Sequence, residues 1–224
     1  MIVMADPMRR NLPNALTLLR LILAGAFFAT MSLSVVRGDG FEASRQLWGN
    51  LSVALFILAA LTDALDGYLA RRWKVVSDFG RIMDPFCDKV LILGTFAYLA
   101  SPRFAVIDPS GQVVGMQTRV WAWMVVVLIA RELLVTSIRG VVESRGVPFG
   151  ADWWGKSKMI LQAVTAPATL FIAVNPFFAD SSFFHWLQLL LVWATVVVTG
   201  ISVLPYLVRG RRLLLQTPAA GAEP

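Results

Sequence analysis

The chain has 224 residues, of which 57% are hydrophobic and only 15% charged, with a mean hydropathy of +0.68. Soluble domains carry about a quarter charged residues, so this balance excludes an ordinary soluble domain and points to a membrane protein. The formal net charge of +6 then reads as Lys and Arg gathered at a membrane surface, with no call for a nucleic-acid partner. One cysteine, Cys87, excludes an internal disulfide and a cysteine-built metal cluster, and reads as a small apolar filler.

Apolar runs of about 20 residues are long enough to cross a bilayer. Six follow in chain order, at 13–36, 47–70, 83–101, 120–143, 156–175 and 183–208. The first, preceded by Arg9 and Arg10, runs too far for a secretory signal and is read as a retained span. Its small residues around Gly25, in "LAGAFFAT", suit a helix-packing face. A polar loop, 71–82, joins the second and third spans as a hairpin. Arg131 interrupts the fourth, "WAWMVVVLIARELLV", and Pro167 and Pro205 mark kinks in the fifth and sixth. His185, the only histidine, sits beside Trp186 in "SSFFHWLQ" and reads as an interfacial belt residue rather than a catalyst. The expectation is an all-α polytopic fold in which one domain covers 1–212 and 213–224, ending in "QTPAAGAEP", is a disordered tail.

Positive charges set the orientation. Arg9, Arg10, Arg71, Arg72, Lys74, Arg81, Arg145, Lys156, Lys158, Arg209, Arg211 and Arg212 fall on one side. Arg37, Arg45, Arg103 and Arg119 fall on the other. The positive-inside rule makes the first side cytoplasmic, with both termini there, as an even number of spans requires.

Four aspartates stand between the second and third apolar runs. Asp63 and Asp66 are three apart at the end of one helix, and Asp84 and Asp88 four apart at the start of the next. Each pair shares a helix face, and the hairpin brings both to one depth at the cytoplasmic interface. Carboxylates converging there repel unless a cation sits among them, and such hard oxygen donors suit two Mg²⁺ or Mn²⁺ ions. Gly67 and Ala70 clear side-chain bulk beside that face, and the Arg71 guanidinium can pair with a phosphate. Together they suggest metal-assisted phosphoryl-type chemistry on a membrane-embedded substrate. Interfacial ion pairs with Arg71, Arg72, Arg81 or Lys89 would explain one aspartate, but not four on facing turns. A cation transporter is the rival from another class, although the spans show no acidic or polar trail to their far ends.

Written as spacing, the stretch is Asp63-x2-Asp66-Gly67-x2-Ala70-Arg71-x8-Gly80-x3-Asp84-x3-Asp88. It resembles the full signature of the CDP-alcohol phosphatidyltransferases, a family with six membrane helices. The resemblance implies that Asp63, Asp66, Asp84 and Asp88 bind the metals and that Asp88 is also the general base. It further implies that Asp66, Gly67, Ala70, Arg71 and Gly80 hold the CDP end of CDP-diacylglycerol. The reaction would be attack of an alcohol on the phosphorus next to diacylglycerol, with CMP leaving, at the inner (plasma) membrane and among its lipids.

Three further stretches resemble the members whose acceptor is glycerol 3-phosphate. They are "NLPNALTLLR" with Asn14, Thr17 and Arg20, "ARELLVTSIR" with Arg131, Thr136 and Arg139, and "GKSKMILQ" with Gly155, Lys156, Lys158 and Gln162. Thr17, Arg20, Arg131, Arg139, Lys156 and Lys158 would then bind the acceptor, whose phosphate calls for a basic pocket. Met159 and Cys87 depart from the pattern, in places where small residues are expected. An inositol phosphate, or phosphatidylglycerol as in cardiolipin synthesis, stays open as acceptor. Plainer readings stay open too: Arg131 paired with Glu132, and Lys156 and Lys158 as headgroup anchors. The resemblance also implies a homodimer.

Overall fold

The computed structural model describes residues 7–34, 42–73, 78–147, 150 and 153–216, with side chains for 15–34, 43–65, 83–147, 150 and 153–213. Eight helices are described: α1 (Pro7–Leu33), α2 (Glu42–Trp73), α3 (Asp78–Leu99), α4 (Ala122–Glu143), α5 (Trp153–Val174), α6 (Pro176–Ala179), α7 (Ser182–Ile201) and α8 (Val203–Gln216). α1 lies along α2, α5 along α7, and α3 bridges α1, α4 and α5.

Among the described residues, four segments are long and apolar enough to cross a membrane: Ala15–Leu33, Ala43–Leu65, Trp153–Val174 and Ser182–Leu213. α3 and α4 match α5 in length, at 22 residues each, but both carry clustered charges. Those charges are the aspartates of α3 and the Arg131, Glu132, Arg139 and Glu143 group of α4.

One core runs through the bundle. Phe27 of α1, Phe56 of α2, Phe96 and Leu99 of α3, Leu128 of α4 and Leu170 of α5 are all buried in it. The rings of Phe27 and Phe56 meet edge to face with centroids 5.7 Å apart. Outward rows are apolar as well: Ile22, Leu61, Ile160 and Val197 are exposed, as expected where the surrounding solvent is hydrocarbon. A Cβ added to Gly49 would stand 2.7 Å from Val174, so this glycine lets α2 approach α5. Gly25, by contrast, has no described neighbour within 4 Å and packs against no helix of this chain that is described.

Three features depart from the expectation. First, α2 continues to Trp73 and α3 starts at Asp78, so most of the expected 71–82 loop is helical. Second, between α3 and α4 lies an antiparallel hairpin of β1 (Ala105–Ile107) and β2 (Val113–Met116), so the fold is mostly rather than wholly helical. Its turn is tied by Asp108 Oδ1, which accepts from the Ser110 hydroxyl at 2.7 Å and from the Gln112 amide at 2.8 Å. The Ser110 hydroxyl and these amides hold the exposed Asp108 carboxyl below its ordinary range. Gly111, at φ +83°, supplies the left-handed residue of that turn. Third, the sixth run breaks at Ser202 rather than at Pro205. Pro205 falls in the first turn of α8, where its missing N–H would have had no partner in the helix. α8 then reaches Gln216, into the segment expected as tail, while 217–224 lie outside the described residues.

A polar seam joins α5 to α7. The Thr165 and Thr195 hydroxyls meet at 2.8 Å, Gln162 donates to Thr199 at 3.2 Å, and Gln188 donates to the Thr169 carbonyl at 3.3 Å. No such trail was expected. These groups are uncharged and bonded helix to helix, which is how polar side chains bind helices together in hydrocarbon. At the end of the bundle away from the aspartates, Gln46 and Asn50 of α2 clasp Asn175 at 2.7 and 3.2 Å. There too the ring nitrogens of His185 lie 2.8 and 2.5 Å from Arg119 Nη2, far from the aspartates of α3.

Candidate active site

α1, α2 and α3 converge on one cationic nitrogen. Arg20 Nη1 lies 2.7 Å from Asp63 Oδ1, 3.3 Å from Asp84 Oδ1 and 3.8 Å from Asp88 Oδ1. Thr17, one turn earlier on the same face of α1, donates its hydroxyl to Asp84 Oδ1 at 3.2 Å. The Arg20 side chain is 2% exposed, whereas those of Asp63, Asp84 and Asp88 are 41%, 40% and 38% exposed. The guanidinium is thus buried beneath carboxylates that remain partly exposed.

The unbroken helix α2 carries Asp63, Asp66, Gly67 and Ala70 at spacings of three and four, and so on one face. The side chains of Asp66, Ala70 and Arg71, and the surroundings of Gly67 and Gly80, lie outside the described residues. Pro85 stands between Asp84 and Asp88 and removes one N–H from the ladder there.

The donor set fits a divalent ion. Three carboxylate oxygens from two helices turn toward one point of positive charge, and hard oxygen donors are what Mg²⁺ and Mn²⁺ prefer. Among the described residues no three acidic side chains stand as a finished ion cage; they close on Arg20 instead.

A cavity of about 170 Å³ opens between α3, α4 and α5, and Asp88 is one of its walls. Lys89, Glu132, Lys158 and Gln162 line it with Asp88, and Met159 is among the apolar lining. Lys89 Nζ donates to the Thr136 hydroxyl at 2.7 Å. Glu132 Oε1 accepts from Arg131 Nη1 at 2.9 Å and also from Lys158 Nζ.

The expected acceptor residues therefore separate. Lys158 lines the cavity with Asp88, whereas Thr17 and Arg20 point into the aspartate cluster. Arg131 is buried and takes the plainer reading's partner, Glu132. It also donates through Nε to Ser202 Oγ at 3.0 Å and lies 5.3 Å over the Tyr206 ring. Arg139 is half-buried and its Nε finds no partner among the described residues, and Lys156 is exposed. Lys89 and Glu132 are the residues missing from the expected set. Lys89 had been visible as a cation beside Asp88, and Glu132 as a carboxylate inside an apolar run, where an ionised group needs a reason.

The profile of the CDP-alcohol phosphatidyltransferase family matches residues 10–201. The CDP-diacylglycerol–glycerol-3-phosphate 3-phosphatidyltransferase of Bacillus subtilis is 32% identical over 86% of this chain and 91% of its own. The Haemophilus influenzae protein of the same name is 26% identical over 89% of this chain and 93% of its own. The match covers α1 to α7 and takes in every aspartate of the site. The chain therefore belongs to the CDP-alcohol phosphatidyltransferase family, as a phosphatidyltransferase with helices long and apolar enough to cross a membrane.

Proposed function

We propose that the chain transfers the phosphatidyl group from CDP-diacylglycerol to glycerol 3-phosphate, giving phosphatidylglycerophosphate and CMP. The observation that carries this reading is the position of Asp88, which belongs at once to the aspartate cluster and to the wall of a cavity holding Lys89 and Lys158. Relatives named for this reaction support the acceptor.

Asp63, Asp66, Asp84 and Asp88 would hold two Mg²⁺ or Mn²⁺ ions, in a family that is generally dependent on divalent metals. When bound, the ions supply positive charge to the pyrophosphate and its leaving oxygen. The chain's own residues do the rest. Arg20 and Thr17 orient Asp63 and Asp84 from below. Asp66, Gly67, Ala70, Arg71 and Gly80 take the CDP end of the lipid. Arg131, Arg139, Lys156 and Lys158 supply the basic side for the acceptor phosphate, with Lys158 best supported by its place in the cavity.

Asp88 takes the proton of the acceptor hydroxyl as its oxygen bonds to the phosphorus next to diacylglycerol. The bond from that phosphorus to the bridging oxygen breaks, and CMP leaves with the electron pair.

All six long helical segments cross the inner membrane in this reading, with both termini and the aspartates on the cytoplasmic side. Residues 1–212 form the catalytic domain, and a second copy of the chain is the expected partner. Chemical cross-linking in native membranes checks that last point, and a monomer throughout would refute it.

The experiment for the reaction is metal-dependent CMP release by purified protein in detergent, compared across acceptor alcohols. Glycerol 3-phosphate is expected to support turnover well above an inositol phosphate or phosphatidylglycerol. Asp88→Asn is expected to lower turnover by at least about a hundredfold, the scale of a lost general base, while the lipid nucleotide still binds. Full activity in Asp88→Asn would remove Asp88 from the role of base.

A further inference from the structure

Glu132 has no part in the reaction as described, yet it is 9% exposed at the wall of the cavity that contains Asp88. One of its oxygens, Oε1, receives both the Arg131 guanidinium and the Lys158 ammonium, from α4 and α5. Of these two cations, Lys158 lies on the cavity lining, where an anionic guest could meet its ammonium. Lys158 is 7% exposed, and Ile92, Leu93 and Met159 line the same cavity. An ammonium buried among such neighbours is costly without a partner, and its four-carbon stem is flexible. Glu132 answers both problems. It compensates the charge and fixes the ammonium by a charge-assisted hydrogen bond, leaving the remaining N–H donors of Lys158 for another acceptor.

We propose that Glu132 is a positioning residue for the acceptor's phosphate, acting through Lys158. It fixes the Lys158 ammonium on the lining of the cavity that Asp88 shares, so that a phosphate bound there directs the attached hydroxyl toward the Asp88 carboxylate. The bland competitor is an ion pair that only fastens α4 to α5. This proposal rests on the reading of the cavity as the acceptor side of the site.

Steady-state kinetics of the full-length protein separate these cases. Glu132→Gln keeps the shape and removes the charge. It is expected to raise KM for glycerol 3-phosphate about tenfold, the scale of one charge-assisted hydrogen bond, with KM for CDP-diacylglycerol within about twofold of wild type. Glu132→Asp, which keeps the charge on a shorter stem, is expected to recover part of that loss, and it carries the test if Glu132→Gln does not fold. Because Glu132 acts through Lys158, adding Glu132→Gln to Lys158→Gln should make KM no worse than Lys158→Gln alone. Independent, additive effects would overturn the proposal. So would a lowered thermal midpoint with both KM values unchanged, since that is the behaviour of a purely structural ion pair. A wild-type chain that turned over only with phosphate-free alcohols would overturn the acceptor reading itself, and the purpose assigned to Glu132 with it.

Discussion

Arg20 shows what a single residue contributes and how far its role could be read in advance. Asp63, Asp84 and Asp88 are legible in the sequence because helical spacing alone puts each pair on one face. Arg20 enters the sequence reading only through the resemblance, as an acceptor-binding residue. That its Nη1 lies within 3.8 Å of all three carboxylates depends on how α1 crosses α2 and α3, which spacing along one helix does not encode. The contact of Glu132 with Lys158 is hidden for the same reason, since Lys158 reaches it from a different helix. The arginine makes the cluster tolerable in the absence of other positive charge. Removing it should therefore make folding lean on added cations. Arg20→Gln is expected to lose about 1–3 kcal/mol of stability in chelator, the cost of leaving hydrogen-bonded charges without a partner. Its thermal midpoint should then rise more steeply with Mg²⁺ than that of wild type, because an ion that binds only the folded state stabilises it by mass action. Equal Mg²⁺ responses in the two proteins would show that Arg20 and the ion do not share the same carboxylates.

At the scale of elements, hydrophobic run length finds the long helices but misplaces what joins them. The hairpin escapes because strands of three and four residues are too short to show alternation, although Asp108, Pro109 and Gly111 are turn residues in plain view. The break at Ser202 escapes because a proline marks where an N–H is absent, and α8 puts Pro205 in the one turn that can spare it. Close helix approach is also invisible in one dimension. Gly25 and Gly49 look alike in sequence, but only Gly49 faces a neighbour, Val174 at 2.7 Å from a built Cβ. Gly49→Val should therefore cost about 1–3 kcal/mol as overpacking between α2 and α5. Gly25→Ala, in open space and in a helix interior, should instead gain up to about 1 kcal/mol. Thermal unfolding in one detergent compares the two directly, and equal shifts would contradict the α2–α5 contact.

The number of crossings is a property of the whole molecule, and it turns on α3 and α4. Their length is sufficient, since 22 residues reach about 33 Å against a hydrocarbon core of about 30 Å. Their charges are confined to the half of each helix that carries the active site. The charged residues of α3 stop at Lys89, and those of α4 begin at Arg131, which leaves "VLILGTFAYL" and "AWMVVVLIA" uncharged. Leu91, Phe96 and Leu99 of α3 and Leu128 of α4 are buried in the same core as Phe27, Phe56 and Leu170 of the apolar spans. That shared core is what supports placing α3 and α4 at the depth of the apolar spans in the proposed six-crossing reading. If α3 and α4 cross, the hairpin between them faces the side opposite the aspartates. If they do not, the count falls to four, still even, so both termini stay on one side and tail location cannot separate the cases. The hairpin can. Ser110 at its tip is exposed, and the native Cys87 is buried at 2% exposure, so background labelling should be low. A membrane-impermeant maleimide applied to intact cells, with any outer membrane removed, should therefore label Ser110→Cys. Arg211→Cys, exposed on α8, should react only after the membrane is opened. Protection of both positions in intact cells would return the α3–α4 unit to the cytoplasmic side and leave four crossings.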